Sequence, residues 1–328
     1  MPIPFIIGGI ALAAGAYGAK KGYDAYEDYD MAKYYNEKAK RIYDDAKEEL
    51  EEARKDTQDS LESLGELKLE LYASSILPFI ETYNKIKNMP KEALTYKEGK
   101  EISEIKKLNF KNIELELKKI VGGGVASLGS GGLVGLASYG GVGMLGTTAG
   151  GTAISGLSGA AATNATLAWL GGGSLASGGF GMAGGMAVLG GIVAGPVLAV
   201  GGMMIASKAE EARNNARSNL RQAELAEEEM KTAVVKTKAI QRRVSELSEV
   251  TVKINEIFVP FLNALNSLVV KEDNWNEYSE IEKVLVTKTG TVWRTLFNLL
   301  EVNILTEKGE LTENSKKIIE DSRNFLKE

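Results

Sequence analysis

Two long stretches of this chain repeat their apolar residues at the spacing of one helical face. In the first, from about Asp24 to Met89, Ala39, Ile42, Ala46, Leu50, Ala53, Thr57, Leu61 and Leu64 follow at intervals of 3, 4, 4, 3, 4, 4 and 3. An eleven-residue repeat of this kind stays close to the natural pitch of an α-helix. It predicts a nearly straight helix that keeps one side against a partner without the supercoil of a heptad seam. In the second stretch, from about Lys208, Ala209, Ala212, Ala216, Leu220 and Ala223 open at 3, 4, 4 and 3, and the pattern continues through Met230, Val234, Val244 and Leu247. Seams of alanine and leucine suit close lateral packing of helices.

Both stretches end alike. Pro78-Phe79-Ile80 is followed by Tyr83-Asn84, and Pro260-Phe261-Leu262 by Leu265-Asn266. Proline removes an intrahelical hydrogen bond and crowds the preceding turn, so both helices are expected to bend or break there, with Phe79 and Phe261 buried against the C-terminal part. Lys20 lies 58 residues before Pro78 and Lys208 lies 52 before Pro260, each after a charge-free run containing glycine. A loose duplication of apolar head, charged stalk and proline-kinked end would set the stalks parallel. A motif this short also arises by coincidence.

These signals divide the chain into an apolar segment 1–22, a charged stalk 23–89, a connector 90–119, an apolar glycine-rich segment 120–207, a second stalk 208–271 and a small helical cap 272–328. Asn88-Met89-Pro90 and Glu98-Gly99-Lys100 carry turn signals in or beside the connector. Its end, Asn112 to Lys118, alternates like a strand and could equally start a helix. The cap holds Trp275, Trp293, Phe297 and Phe325, with breaks expected near Gly290 and Gly309. The expected fold is all-α, with long charged helices in a parallel or antiparallel bundle flanking a glycine-rich apolar helical segment.

Composition narrows the chemistry. The 328 residues include no histidine and no cysteine, with 39 basic and 44 acidic side chains. A thiol nucleophile, a Ser-His-Asp triad, the usual zinc ligand sets and disulfides are thereby excluded. The acidic balance and the lack of a long basic block argue against a nucleic-acid partner. Gly141-Val142-Gly143-Met144-Leu145-Gly146 has dinucleotide-fingerprint spacing, but no acidic residue follows before Glu210, against an expected distance of about 20 residues. Ser103-Glu104-Ile105-Lys106 with Lys288-Thr289-Gly290 imitates two boxes of serine acyl-transferases without the third. The acidic run Asp24, Glu27, Asp28 and Asp30 reads as a solvated helix face rather than a cation site, and Asn164-Ala165-Thr166 as a helix boundary rather than a glycosylation acceptor. No enzyme, catalytic residue, metal site or cofactor is expected.

One segment stands apart. Ile120 to Ser207 is 88 residues without a charge, and 28 of the 37 glycines fall between Gly122 and Gly202. Leucine, valine, isoleucine and methionine recur through it, unlike a disordered polar tract. It either enters a bilayer or is buried in an oligomer. Met182 to Ala206 is long enough to cross a hydrocarbon core of about 30 Å as a helix, whereas Val121 to Leu170 is semi-polar and better suited to a hairpin that pairs with itself or with other subunits. Glycines recur at four-residue spacing: Gly131 with Gly135, Gly146 with Gly150, Gly181 with Gly185, and Gly191 with Gly195. Each costs a helix in water about 1 kcal/mol relative to alanine. In exchange, glycine on every turn lets apolar helices approach at backbone distance, so these eight are the candidate helix contacts.

At the other end, Met1 to Ala19 is uncharged and stops at Lys20 and Lys21. A secretory signal would carry its positive charge before the apolar run. Tyr17, Tyr23, Tyr26, Tyr29, Tyr34, Tyr35 and Tyr43 follow, either as an interfacial belt or as packing between helices. Lys20, Lys21, Tyr23 and Tyr26 are the candidate membrane-interface residues.

The layout of long amphipathic helices bracketing an apolar, glycine-rich hairpin resembles α-helical pore-forming proteins of the cytolysin A and haemolysin BL group, and more distantly colicin-like and apolipoprotein L proteins. The resemblance lies in architecture and in the Ile120 to Ser207 block. It implies a soluble helical form that shields the apolar segment and later inserts it as an oligomer. The block is longer than a simple hairpin, and the missing secretion signal points to action from inside the producing cell, cytoplasmic and membrane-associated. The expected partners are a lipid membrane and further copies of the chain. A homo-oligomeric scaffold or membrane-shaping protein, and an accessory subunit of a secretion or phage-tail apparatus, are the alternative readings.

Overall fold

The computed structural model describes residues 19–90, 110–140, 209–306 and 309–327. Of the interpretable residues, 88% are helical and none is in a strand, so the fold is all-α. In chain order the helices are α1 (Ala19–Leu71), a π-helical turn (Tyr72–Ile76), α2 (Leu77–Tyr83), α3 (Phe110–Tyr139), α4 (Ala209–Lys271), a 3₁₀ turn (Trp275–Glu277), α5 (Glu280–Glu301) and α6 (Glu313–Phe325). The chain forms two compact units, one from Met1–Lys55 with Ile192–Lys238, the other from Asp56–Gly191 with Ala239–Glu328. The long helices α1 and α4 contribute to both.

In the first unit the small-residue seams of α1 and α4 meet. Ala46, Leu50 and Ala53 pack with Ala226, Met230, Ala233 and Val234, and Tyr43 lies against them. Polar pairs flank this seam. Asp28 meets Arg213 at 2.6 Å, Asn219 donates to Asn36 at 3.0 Å, Lys238 reaches Glu49 at 3.4 Å, and Arg217 stacks over the Tyr35 ring at 5.5 Å. The Asn36 and Glu49 partners lie 183 and 189 residues further along the chain, and both members of each pair advance together. The two helices therefore run parallel.

The second unit keeps that register. Ser75 donates to Asn255 at 2.6 Å, Thr82 hydrogen-bonds Asn266, and Asn88 donates to Asn274 at 3.0 Å, with separations of 180, 184 and 186. Lys87 closes the arrangement by pairing its backbone with the loop after α4: its N–H donates to Asp273 and its carbonyl accepts from Trp275. Pro78 and Pro260, 182 residues apart, are thus level with one another.

Their local geometries differ, which corrects the expectation of a break at both. Before Pro78 the helix widens into the π turn, where the Leu77 N–H reaches back to the Tyr72 carbonyl. That wider turn makes room for the ring that would otherwise crowd the preceding carbonyl. Phe79 is fully buried beyond it. At Pro260, by contrast, α4 is unbroken. Pro260 is exposed, so water serves the carbonyl that lost its donor. Phe261 is only half-buried there, and Phe258, one turn earlier, takes the core position.

One open alternative closes and one expectation changes. The alternating stretch Asn112 to Lys118 is helix, inside α3. Ile113, Leu117 and Ile120, spaced 4 and 3, are buried, while Leu115, which a strand would place beside Ile113 and Leu117, is 52% exposed. Gly290 marks no break and is buried inside α5. One glycine costs a helix about 1 kcal/mol, less than the burial of Val286, Trp293, Leu296 and Phe297 on the same face returns. Gly309 does sit in a turn, with φ +75° and its N–H on the Thr306 carbonyl. Ser279 with Glu282 forms a capping box at the start of α5, and Thr312 caps α6.

Candidate functional site

The glycine-rich block begins in α3, and its described part ends where three elements converge. Along α3 the charges stop at Lys119, and from Gly132 to Gly140 every residue is buried. A helix buried on all sides needs apolar side chains nearly all round, and apart from Ser138 and the Tyr139 hydroxyl this stretch has them. Room for it is made at Gly65 of α1. A side chain there would strike the Leu133 backbone, with the carbonyl carbon 2.7 Å from the Cβ position. Glycine does bring two helices to backbone contact here, but the glycine is in the stalk and the neighbour is the apolar block.

The C-terminus of α3 exposes carbonyls that no further helical turn can satisfy. Gly140, with φ +75°, turns back so that its N–H donates to Leu136 at 3.1 Å. Ser138 accepts from the Ile304 N–H at 2.8 Å, a bond supplied by the segment after α5. Ala137 accepts from the Nζ of Lys68 at 3.0 Å. Lys68 is fully buried in α1, and a cation at this end of a helix also faces the negative pole of its dipole. Burial pulls its ammonium down to about 7 from an ordinary 10.5, with Glu301 pulling the other way. One turn along α1, the Tyr72 hydroxyl lies 2.5 Å from Glu301 Oε1 and 3.2 Å from the Leu300 carbonyl, and donates to one of them. Gly140 completes the knot by packing on the Glu301 backbone, which lies 2.7–2.9 Å from its Cβ position.

An aromatic stack in the same unit ties α5 to the proline-kinked end. The Trp293 ring lies 5.0 Å from Phe79, 5.0 Å from Phe297 and 5.3 Å from Phe110, and Phe79 meets Phe258 edge-on at 6.1 Å. Trp293 is 2% exposed, and its indole Nε1 has no hydrogen-bond partner among the described residues.

Of the eight candidate contact glycines, Gly131 and Gly135 lie in α3, Gly135 buried. Gly146, Gly150, Gly181, Gly185, Gly191 and Gly195 lie outside the described residues, as does the span Met182 to Ala206. Lys20, Lys21, Tyr23 and Tyr26 fall in the first turns of α1, with side chains outside the description. Among the described residues no helix is long and apolar enough to cross a membrane.

Gly65, Lys68, Tyr72 and Glu301 were absent from the sequence reading, although one signal pointed to two of them. Continuing the seam from Leu61 and Leu64 by steps of four reaches Lys68 and then Tyr72, which puts a lysine on the buried face. Glu301 comes from another helix, and no spacing rule links it to α1. No protein-family model matches this chain, and neither the curated proteins nor the solved structures give a significant match.

Proposed function

We propose that this chain is a membrane-inserting, oligomeric helical protein, a pore-forming or membrane-disrupting effector whose stalks and cap shield part of its apolar block in water. The observation that carries the reading is the pairing of an 88-residue charge-free segment with a protein-built sheath around one stretch of it, Gly132 to Gly140. Nothing about a catalyst requires such a segment. A bilayer-entering protein needs the segment and also needs somewhere to keep it. The charged helices remain in water in this reading, and glycine faces join copies of the block in lipid.

The contact of Gly65 with Leu133 also favours a second reading, in which the block packs only against protein and the chain is a homo-oligomeric scaffold. Purified protein mixed with dye-loaded vesicles separates the two. Release of dye with oligomer formation is expected, and a protein that oligomerises but neither floats with lipid nor releases dye is a scaffold.

The double substitution Gly185→Ile and Gly191→Ile sharpens the test. Isoleucine raises both hydrophobicity and helix propensity, so a segment that merely anchors should bind lipid at least as well. A segment that works by close helix contact should keep lipid binding and lose leakage, because the added side chains hold the backbones apart. Full leakage from the double variant removes the glycine-contact mechanism.

A further inference from the structure

We infer that the end of α3 is a proton-operated latch, in which Lys68 binds the Ala137 carbonyl as a dry, buried donor, and a proton taken up from water drives it out and frees the last turn of α3. The geometry is that of a clasp. Beyond Leu133 the last turn of α3 is held by the Lys68 bond to Ala137, the Ile304 bond to Ser138, the Tyr139 bond to Thr306, the packing of Gly140 on Glu301 and the burial of Leu136 and Tyr139. Opening the end of α3 costs those contacts and returns a strongly hydrated ammonium to water. A buried lysine favours its neutral form because the interior solvates charge poorly, so protonation opposes the closed state and favours the open one.

The groups around Lys68 set how strongly. One turn on, at the start of the π turn, the neighbour is Tyr72, and on α5 it is the carboxylate of Glu301, which favours the charged form. From α3 come the Ala137 carbonyl and Tyr139, whose hydroxyl reaches the Thr306 carbonyl at 3.4 Å. On α4 the buried residues level with Lys68 in the common register, Val250, Thr251 and Ile254, carry no charge. Among the described residues Glu301 is the charge that offsets the burial of the ammonium, and burial outweighs it.

The sign follows from proton binding. Closed, Lys68 titrates at about 7; open, at its ordinary 10.5. The open state holds more protons between those values, so opening strengthens as pH falls, by about tenfold per unit well above 7, and levels off below. From pH 8 to pH 6 the opening constant rises about tenfold by the same relation.

The opening is a property of the protein in solution, while its use rests on the membrane reading, so the experiment reads the two separately. Hydrogen exchange of the full chain without lipid is followed at the Gly140 and Ile304 amides, corrected for the intrinsic pH dependence of exchange, with amides of α4 as the fold control. Wild type should lose protection at both amides toward pH 6, and Lys68→Met, which cannot bind a proton, should stay protected across the range. A wild type with no pH dependence, or a methionine variant with the same slope as wild type, overturns the latch. Should the methionine variant not fold, Lys68→Arg serves, since a side chain charged at every pH should leave both amides poorly protected and flat with pH; a wild-type slope in it overturns the latch too. Dye release from phosphatidylcholine vesicles containing phosphatidylglycerol is then measured over the same pH range. Exchange that follows the proton without any leakage keeps the latch and removes the membrane reading.

Discussion

Gly65 and Gly122 are both helical glycines, and their surroundings give them opposite roles. At Gly65 an added methyl meets the backbone of Leu133, which cannot rotate away. Alanine there gains about 1 kcal/mol of helix propensity but forces α1 and α3 apart at a cost of about 1–3 kcal/mol, so Gly65→Ala should destabilise the second unit. At Gly122 nothing lies within 4 Å of the same methyl. Gly122→Ala should therefore stabilise by up to about 1 kcal/mol, through propensity alone. Urea unfolding followed by tryptophan fluorescence reads both, and two shifts of the same sign would show that the contact of Gly65 with α3 does not govern stability. Sequence spacing treats these residues alike. Glycine is selected at one of them by a backbone from another helix, which leaves no trace in the neighbouring residues.

The helical elements were legible wherever their apolar face was continuous. Ala39, Ala46, Leu50, Ala53, Thr57, Leu61 and Leu64 of the predicted α1 seam are buried, as are Ala216, Ala223, Met230, Val234, Val244 and Leu247 of α4. Because Ala46 packs within the seam of the first unit, Ala46→Glu should place an unpaired carboxylate among Leu50, Ala226 and Met230. A loss of about 3 kcal/mol is expected, the scale of an uncompensated buried charge, measured by thermal unfolding with circular dichroism. An unchanged melting curve would mean that the two helices do not pair there in solution. The local pattern leaves an element open where it fits two periods, and misleads where a single residue looks like punctuation. Residues 112 to 118 alternate because charged positions of a helix fall beside its apolar ones, and only the burial of Ile120 together with the exposure of Leu115 separates the two periods. Pro260 and Gly290 do not end their helices, since exposure excuses the one and the packing of α5 outweighs the other.

At the scale of the whole molecule, stability and titration meet in the second unit. Lys68 is held below its ordinary value by burial, so the unfolded chain binds more protons and the unit should gain stability as pH rises from about 7 toward 10, by about 1 kcal/mol per pH unit. Above 10 the trend reverses, because burial pushes the Tyr83 hydroxyl up to about 12 and the unfolded chain ionises first. Urea midpoints across this range should peak near pH 10 in wild type, and Lys68→Met should flatten the rising limb while leaving the falling one. A rising limb that survives in the variant would assign it to other groups. By itself the sequence determined the helix class, the two seams and the charge-free block, because each is a property of neighbouring residues: a repeat near 3.6 buries one face wherever it occurs. Tertiary structure alone decided that residues 132–140 of the block are buried by other helices, that the buried Lys68 meets the Ala137 carbonyl and that Gly65 seats the Leu133 backbone. Those depend on residues 68 to 229 positions apart, brought together by packing whose geometry no local repeat encodes.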